Sequence, residues 1–193
     1  MDTTLFKLIN GLAGKVPFLG KLYSGVANDY FLPVIMLLIL VALWFGTRDS
    51  QERTKNQRSV LTALIAVGIV NAVVAITNAF YFRSRPFNVL PPDQVHLFFY
   101  RPTDSSFPSN FAAVLFAPAI AVFVSNRRVG TILLIIALIG GFGRVFIGIH
   151  YPSDVLGGAA YGAFASLVAY WLGKLFNPVL YWLLNLMKTF YLA

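Results

Sequence analysis

The sequence predicts an all-α integral membrane protein: a bundle of five to six transmembrane helices with interfacial helices at the N-terminus. Three observations carry that reading. Apolar residues make up 58% of the 193 and charged residues only 11%, whereas a soluble domain carries about 25% charge. Several apolar stretches reach the roughly 20 residues that a bilayer crossing needs. A compact polar cluster, Arg144 to Asp154, is inserted between two of those stretches, and charges at the edge of a membrane helix are costly enough to mark function.

Taken in order, the segment from Leu5 to Ala27 is less apolar, with Lys7, Lys15 and Lys21 spaced along it. It is expected to form helices lying in the interface or packed beside the bundle, and it lacks the compact apolar core and cleavage site of a signal peptide. Roughly Tyr30 to Phe45, Val60 to Phe82 and Val129 to Ile149 are unambiguous spans. Phe111 to Val124, interrupted by Pro118, and Val155 to Phe176, rich in small residues, are the fourth and fifth. Pro178 to Leu192, with Tyr181, Trp182, Phe190 and Tyr191, reads as an interfacial helix or a short sixth span, because aromatic residues favour the headgroup level. No linker, repeat or low-complexity tract divides the chain, so residues 1–193 are expected to form a single domain. The absence of cysteine excludes disulfides and thiolate metal sites.

A net charge of +8 invites a nucleic-acid reading, but its distribution argues for a membrane topology instead. With five spans, Arg48, Arg53, Lys55, Arg58, Arg127, Arg128, Lys174 and Lys188 share one side, which the positive-inside rule makes cytoplasmic. No span carries a mid-membrane ionisable residue, which sets a transporter or channel aside.

Three polar segments then meet on the opposite, extracytoplasmic face: Arg83-Ser84-Arg85-Pro86 closing the second span, Ser105 to Asn110 opening the third, and Arg144 to Asp154 between the fourth and fifth. Convergent loops at one membrane surface make a pocket. Arg85 and Arg144 offer always-charged forks that match pairs of phosphate oxygens. Ser109 and Asn110 stand where a helix begins, so backbone N–H groups and the helix dipole face the same point. His150 supplies a nitrogen nucleophile, and Asp154 is expected to accept the proton on its other ring nitrogen. Plainer readings stand beside these. Arg83 and Arg85 also suit headgroup anchors, Asp154 suits the first turn of a helix begun by Pro152, and Ser109 suits an ordinary N-cap.

Arg85-Pro86, Pro108-Ser109 and Arg144-x5-His150-x3-Asp154, at the ends of successive spans, resemble the three signature motifs of the type 2 phosphatidic acid phosphatase superfamily. Phe82 to Phe87, Asp104 to Ser109, His150 to Gly157 and Leu5 to Leu12 are similar in detail to the bacitracin-resistance branch of undecaprenyl-diphosphate phosphatases. The resemblance implies an all-helical bundle without metal or other cofactor. In it His150 attacks phosphorus, Asp154 supports it, Arg85 and Arg144 hold the phosphate, and Ser109 donates a hydrogen bond. The implied partner is a membrane lipid phosphate, a diphosphate or monophosphate of an isoprenoid or glycerol lipid.

Three positions depart from the pattern: Asn78 stands where the family has lysine, Gly143 where it has serine, and Phe111 where it has the histidine that protonates the leaving oxygen. Phenylalanine cannot transfer a proton, and general acid catalysis is worth about 100- to 10,000-fold. His96, the one histidine besides His150, is the candidate substitute, with Arg83 as an auxiliary. Two functions follow: a lipid phosphatase slowed by Phe111, or a catalytically impaired relative serving as a structural or lipid-binding subunit of a membrane complex.

The topology makes a prediction. Cysteines introduced near Gln94 should react with an impermeant thiol reagent in intact cells, whereas cysteines near Asn56 should not; the reverse labelling pattern would invert the orientation.

Overall fold

The computed structural model describes residues 1–189, except the side chain of Lys188. The expected features at Phe190, Tyr191 and Leu192 lie outside the described residues. The N-terminal segment forms α1 (Asp2–Lys15) and α2 (Pro17–Val26), followed by α3 (Phe31–Phe45), α4 (Ser50–Phe80) and a single turn, α5 (Pro86–Val89). A long connection leads to α6 (Asn110–Ser125), then α7 (Arg127–Phe146), α8 (Pro152–Leu175) and α9 (Asn177–Thr189).

The five expected spans correspond to α3, α4, α6, α7 and α8. Of these, α4, α7 and α8 are long and apolar enough to cross a membrane. α3 has only 15 residues, but α2 precedes it across a 44° bend, and the pair together reaches spanning length. α6 is a shorter apolar helix of 16 residues. α9, at 13 residues, falls short of the roughly 20 a crossing needs, so the sixth span is absent from the described residues.

α6 is the axis of the bundle and packs most extensively on α8, then on α7 and α4. Its sequence explains the position: Ala112, Ala113, Ala117, Ala119 and Ala121 let neighbouring backbones approach, while Leu115, Phe116 and Val122 fill the space between. α8 presents Gly158, Gly162, Ala165, Ala169 and Gly173 to it and to α4, a small-residue stripe that permits close crossing in the absence of a hydrophobic drive between helices in lipid. A Cβ at Gly162 would lie 2.8 Å from the Ala117 nitrogen and 3.0 Å from the Ala113 oxygen. The outer faces stay apolar: Leu37, Leu38 and Val41 on α3, and Ile132, Ile135 and Leu138 on α7, point outward toward lipid.

α4 is the longest helix, 31 residues or about 46 Å at 1.5 Å per residue. It exceeds a roughly 30 Å hydrocarbon core, and its polar first turns project beyond it. Asp49 caps its start, accepting from the Glu52 N–H at 2.8 Å. Its end is set by the extended residue Tyr81 and by Arg85, held out of helical conformation before Pro86.

α1 buries Phe6, Asn10 and Ala13 on one face and leaves Leu5, Leu8 and Leu12 exposed on another. It packs across the loop end of α7 and α8. Asn10 fastens it there: Nδ2 donates to the carbonyls of His96 (2.8 Å) and Phe146 (2.9 Å), and Oδ1 accepts from the His96 N–H (2.8 Å).

If the α6–α8 crossing holds the bundle together, Gly162→Val should destabilise it by about 1–3 kcal/mol. Gly68→Ala, on the exposed side of α4 with nothing within 4 Å of its added Cβ, should not. Thermal unfolding in detergent decides; equal midpoints for the two variants would sink the claim.

Candidate active site

The three polar segments do converge. The chain leaving α4 places Arg83 and Arg85, the connection before α6 places Asp104 to Ser109, and the turn between α7 and α8 places Ile147 to Tyr151. That turn requires Gly148, whose φ of +90° suits glycine and whose added Cβ would meet the His96 carbonyl at 2.8 Å. Around these segments opens a cavity of about 290 Å³ lined by Asp29, Arg85, Tyr100, Asp104, Asn110, Phe111, Arg144 and His150, with Pro33, Pro102 and Val114.

His150 is buried, and both ring nitrogens are committed. Nδ1 lies 2.9 Å from the Ser106 carbonyl, an acceptor only, so Nδ1 carries the proton and donates. Nε2 lies 3.3 Å from Nη1 of Arg85, a donor only, so Nε2 carries the lone pair. Burial pushes the imidazole below its usual pKa, the Asp154 carboxylate pulls it back up, and the Arg85 guanidinium pushes it down again; the net direction is down. The ring is therefore neutral at physiological pH.

The expected contact between His150 and Asp154 needs correction. Nδ1 and Asp154 Oδ2 are 3.7 Å apart, too far for a hydrogen bond. Oδ2 is instead occupied by the Ser106 hydroxyl (2.5 Å) and the Tyr151 N–H (2.8 Å), and Oδ1 by Nη1 of Arg83 (2.6 Å). Asp154 thus closes the first turn of α8, as the capping reading expects, and its hydrogen-bonded route to His150 runs through Ser106.

Each motif arginine meets a carboxylate. Arg83 bridges Asp154 and Asp2, stacks 4.4 Å over the Tyr151 ring and donates to Ser153, so it ties α1 to α8 and does not line the cavity. Arg85 pairs with Asp104 Oδ1 at 2.8 Å and also donates to the Ile149 carbonyl at 3.1 Å. Arg144 pairs with Asp29 Oδ1 at 2.6 Å, and its Nε is buried with no partner. Tyr100 completes that pair by donating to Asp29 Oδ2 at 2.8 Å, and this bond raises the phenol's pKa.

Asn110 lines the cavity, but Ser109 does not. Its Oγ faces the Ala112 N–H at 3.4 Å as the N-cap of α6, and its own N–H donates to the Asp154 carbonyl. His96 is also placed elsewhere. Its ring lies against Gly14 of α1, outside the cavity, because Asn10 pins its backbone there. It is not the substitute acid.

The departures have structural correlates. The Phe111 ring lies 3.7 Å below the Arg144 guanidinium carbon, and Gly140 leaves room for it, since a Cβ there would meet the ring at 3.0 Å. Gly143 faces Ala27 and Tyr23, with an added Cβ only 2.9 Å from the Ala27 Cβ, so a larger residue would press on α2. Asn78, near the end of α4, is not among the cavity-lining residues.

Asp29, Tyr100, Asp104 and Ser106 were not anticipated as site residues. A signal for the acids exists: the chain has only seven Asp and Glu, and four of them, Asp2, Asp29, Asp104 and Asp154, pair with Arg83, Arg85 or Arg144. Among the described residues no group of three or more His, Asp or Glu side chains has the geometry to hold a metal ion.

The sequence profile of the PAP2 superfamily matches residues 59–177, which include all three polar segments. The chain belongs to that superfamily. The undecaprenyl-diphosphatase BcrC of Bacillus subtilis is 32% identical over 180 residues, 92% of this chain and 87% of that protein. The bacitracin transport permease protein BcrC of Bacillus licheniformis is 29% identical over 171 residues, 89% of this chain and 80% of that one. The crystal structure of LpxE from Aquifex aeolicus superposes with a TM-score of 0.68 at 26% identity, covering 88% of this chain and 94% of LpxE. A transmembrane PAP2-type phosphatidylglycerolphosphate phosphatase from Bacillus subtilis shares the fold, with a TM-score of 0.59, at 20% identity. This is a multi-pass membrane protein of the PAP2 fold, with the bacitracin-resistance proteins among its relatives.

The depressed His150 pKa carries a sign. In the folded state the ring resists protonation, so the unfolded chain binds more protons once pH falls below the usual histidine value near 6.5. The stability His150 contributes is complete above that value and is lost as pH falls toward the folded pKa. Thermal midpoints measured between pH 7.5 and 5.5 should fall for the wild type and fall less for His150→Gln; parallel curves would contradict the buried, neutral imidazole.

Proposed function

We propose that the chain is a lipid phosphatase acting on undecaprenyl diphosphate at the extracytoplasmic face, through a phosphohistidine at His150. The observation that carries the reading is a neutral, buried imidazole that lines the cavity together with Arg85 and Arg144, its unprotonated Nε2 3.3 Å from the Arg85 guanidinium that would bind the phosphate. The undecaprenyl-diphosphatase relatives supply the substrate class, and the positive residues at the other end of the bundle supply the orientation.

In this mechanism Arg85 and Arg144 bind the terminal phosphate from two sides, with Asn110 and the start of α6 adding donors. The Nε2 lone pair attacks the terminal phosphorus. The anhydride P–O bond breaks, and its electron pair leaves on the bridging oxygen as undecaprenyl monophosphate. The imidazolium keeps its Nδ1 proton on the Ser106 carbonyl, which delocalises the new positive charge toward an oriented acceptor. Water then attacks phosphorus, the N–P bond breaks back onto Nε2, and the water proton passes to the released phosphate or to solvent. A phosphate leaving group needs less protonation than an alcohol, so the anhydride substrate tolerates Phe111 better than a lipid monophosphate would.

One observation favours a second reading, a non-catalytic lipid-binding or structural subunit of a membrane complex. Phe111 stacks on Arg144 where a proton donor would stand.

Phosphate release from undecaprenyl diphosphate should be weak, absent in His150→Ala, and raised about tenfold or more in Phe111→His. Release that survives His150→Ala would remove the phosphohistidine. No release from either the wild type or Phe111→His would leave the non-catalytic reading.

A further inference from the structure

A second, larger cavity of about 600 Å³ lies at the opposite end of the bundle from His150. It is enclosed by the first turns of α4, the last turns of α6 and α8, and the start of α9. Three cations line it, Lys55, Arg58 and Lys174, together with hydroxyl and amide groups and an apolar wall that includes Val124 and Leu180. No carboxylate is among its lining residues, and none of the ion pairs among the described residues involves these three cations.

The contrast with the other end gives this cluster meaning. There, Arg83, Arg85 and Arg144 are each neutralised by Asp2, Asp29, Asp104 or Asp154. Here three positive charges surround a concave space with no carboxylate among its lining residues and no ion pair to any of them among the described residues. Arg58 is held in place by neutral partners, Asn177 and the Tyr181 hydroxyl, and stacks 5.0 Å from the Tyr181 ring centre. Lys174 rests over Trp171 at 5.3 Å. Fixing cations with neutral groups leaves their charge available to a ligand. The volume falls in the range of small-molecule sites, about 300–1,000 Å³, and Trp171 and Tyr181 are the residue types that gather at the headgroup level. Basic pockets between membrane helices select anionic headgroups.

We propose that this cavity binds the phosphodiester headgroup of an anionic phospholipid, with Lys55, Arg58 and Lys174 as the charge partners and the apolar wall guiding the acyl chains. In the orientation proposed above, that lipid belongs to the cytoplasmic leaflet. The site is independent of the phosphatase reading, since a phosphodiester headgroup is not an anhydride.

Native mass spectrometry of the delipidated full chain in detergent, titrated with phosphatidylglycerol, phosphatidylcholine or inorganic phosphate, tests the proposal. The wild type should retain one phosphatidylglycerol, in preference to phosphatidylcholine, and millimolar inorganic phosphate should not displace it. Lys55→Gln/Lys174→Gln should lower its occupancy about tenfold or more. Gly173→Leu should do the same by filling the cavity: a Cβ there lies 3.6 Å from Thr62 and Leu180, so the longer side chain extends into the lined space. Arg144→Ala, at the other end, should retain the lipid. Undiminished binding in both cavity variants, loss in Arg144→Ala instead, or binding of inorganic phosphate with no phospholipid would each overturn it.

Discussion

The carboxylate of Asp154, fully buried, accepts the Ser106 hydroxyl, the Tyr151 N–H and the Arg83 guanidinium, one from each polar segment that meets at the candidate site. Its backbone carbonyl also accepts the Ser109 N–H, fixing the start of α6 against the start of α8. A charge with no solvent contact is tolerated only when paired and hydrogen-bonded, and removing one partner of such a pair costs about 3–5 kcal/mol. The remaining geometry depends on this constraint. Ser106 is held by Asp154, and the Ser106 carbonyl in turn fixes the His150 tautomer that leaves Nε2 unprotonated. Asp154 thus orients the His150 ring through Ser106.

The same principle governs the arginines. In a bundle with an apolar exterior, Arg85 and Arg144 are buried and cannot remain unpaired. Asp104 and Asp29 neutralise them, from side chains that are themselves 61% and 38% exposed. The acids therefore sit on the solvent side of the arginines, where an incoming phosphate would share or replace them. Phe111 adds a quadrupole beneath Arg144, a favourable contact for a buried cation. Phe111 thus helps to hold the cation that, in the proposed mechanism, would bind the substrate.

The fold was legible because its evidence is linear: apolar runs mark helices, and the small residues of α6 and α8 mark their close crossing. The five expected spans fall on five helices, of which three, or four with the bent α2–α3 pair, are long and apolar enough to cross a membrane, and the ends differ where tertiary contacts decide. α7 stops at Phe146, short of Ile149, because Gly148 turns the chain beneath the His96 carbonyl. Arg85, Asn110, Arg144 and His150 were readable as cavity residues from motif order. The roles of Asp154, Ser109 and His96 were not. Each depends on which of several atoms within reach takes a hydrogen bond, and Asn10, 86 positions from His96, decides where that ring goes. Asp29 and Tyr100 carry no local pattern, and only the need of a buried Arg144 for a counter-charge points to them.

The proposed chemistry turns on Nε2 of His150 being the atom that meets phosphorus. A crystal structure with vanadate, a phosphate analogue that accepts a fifth ligand, tests it without requiring turnover. The expected result is vanadium bonded to Nε2 of His150, its oxygens held by Arg85 and Arg144, and Nδ1 still donating to the Ser106 carbonyl. Vanadium bonded through Nδ1, or vanadate bound with His150 outside bonding distance, would contradict it.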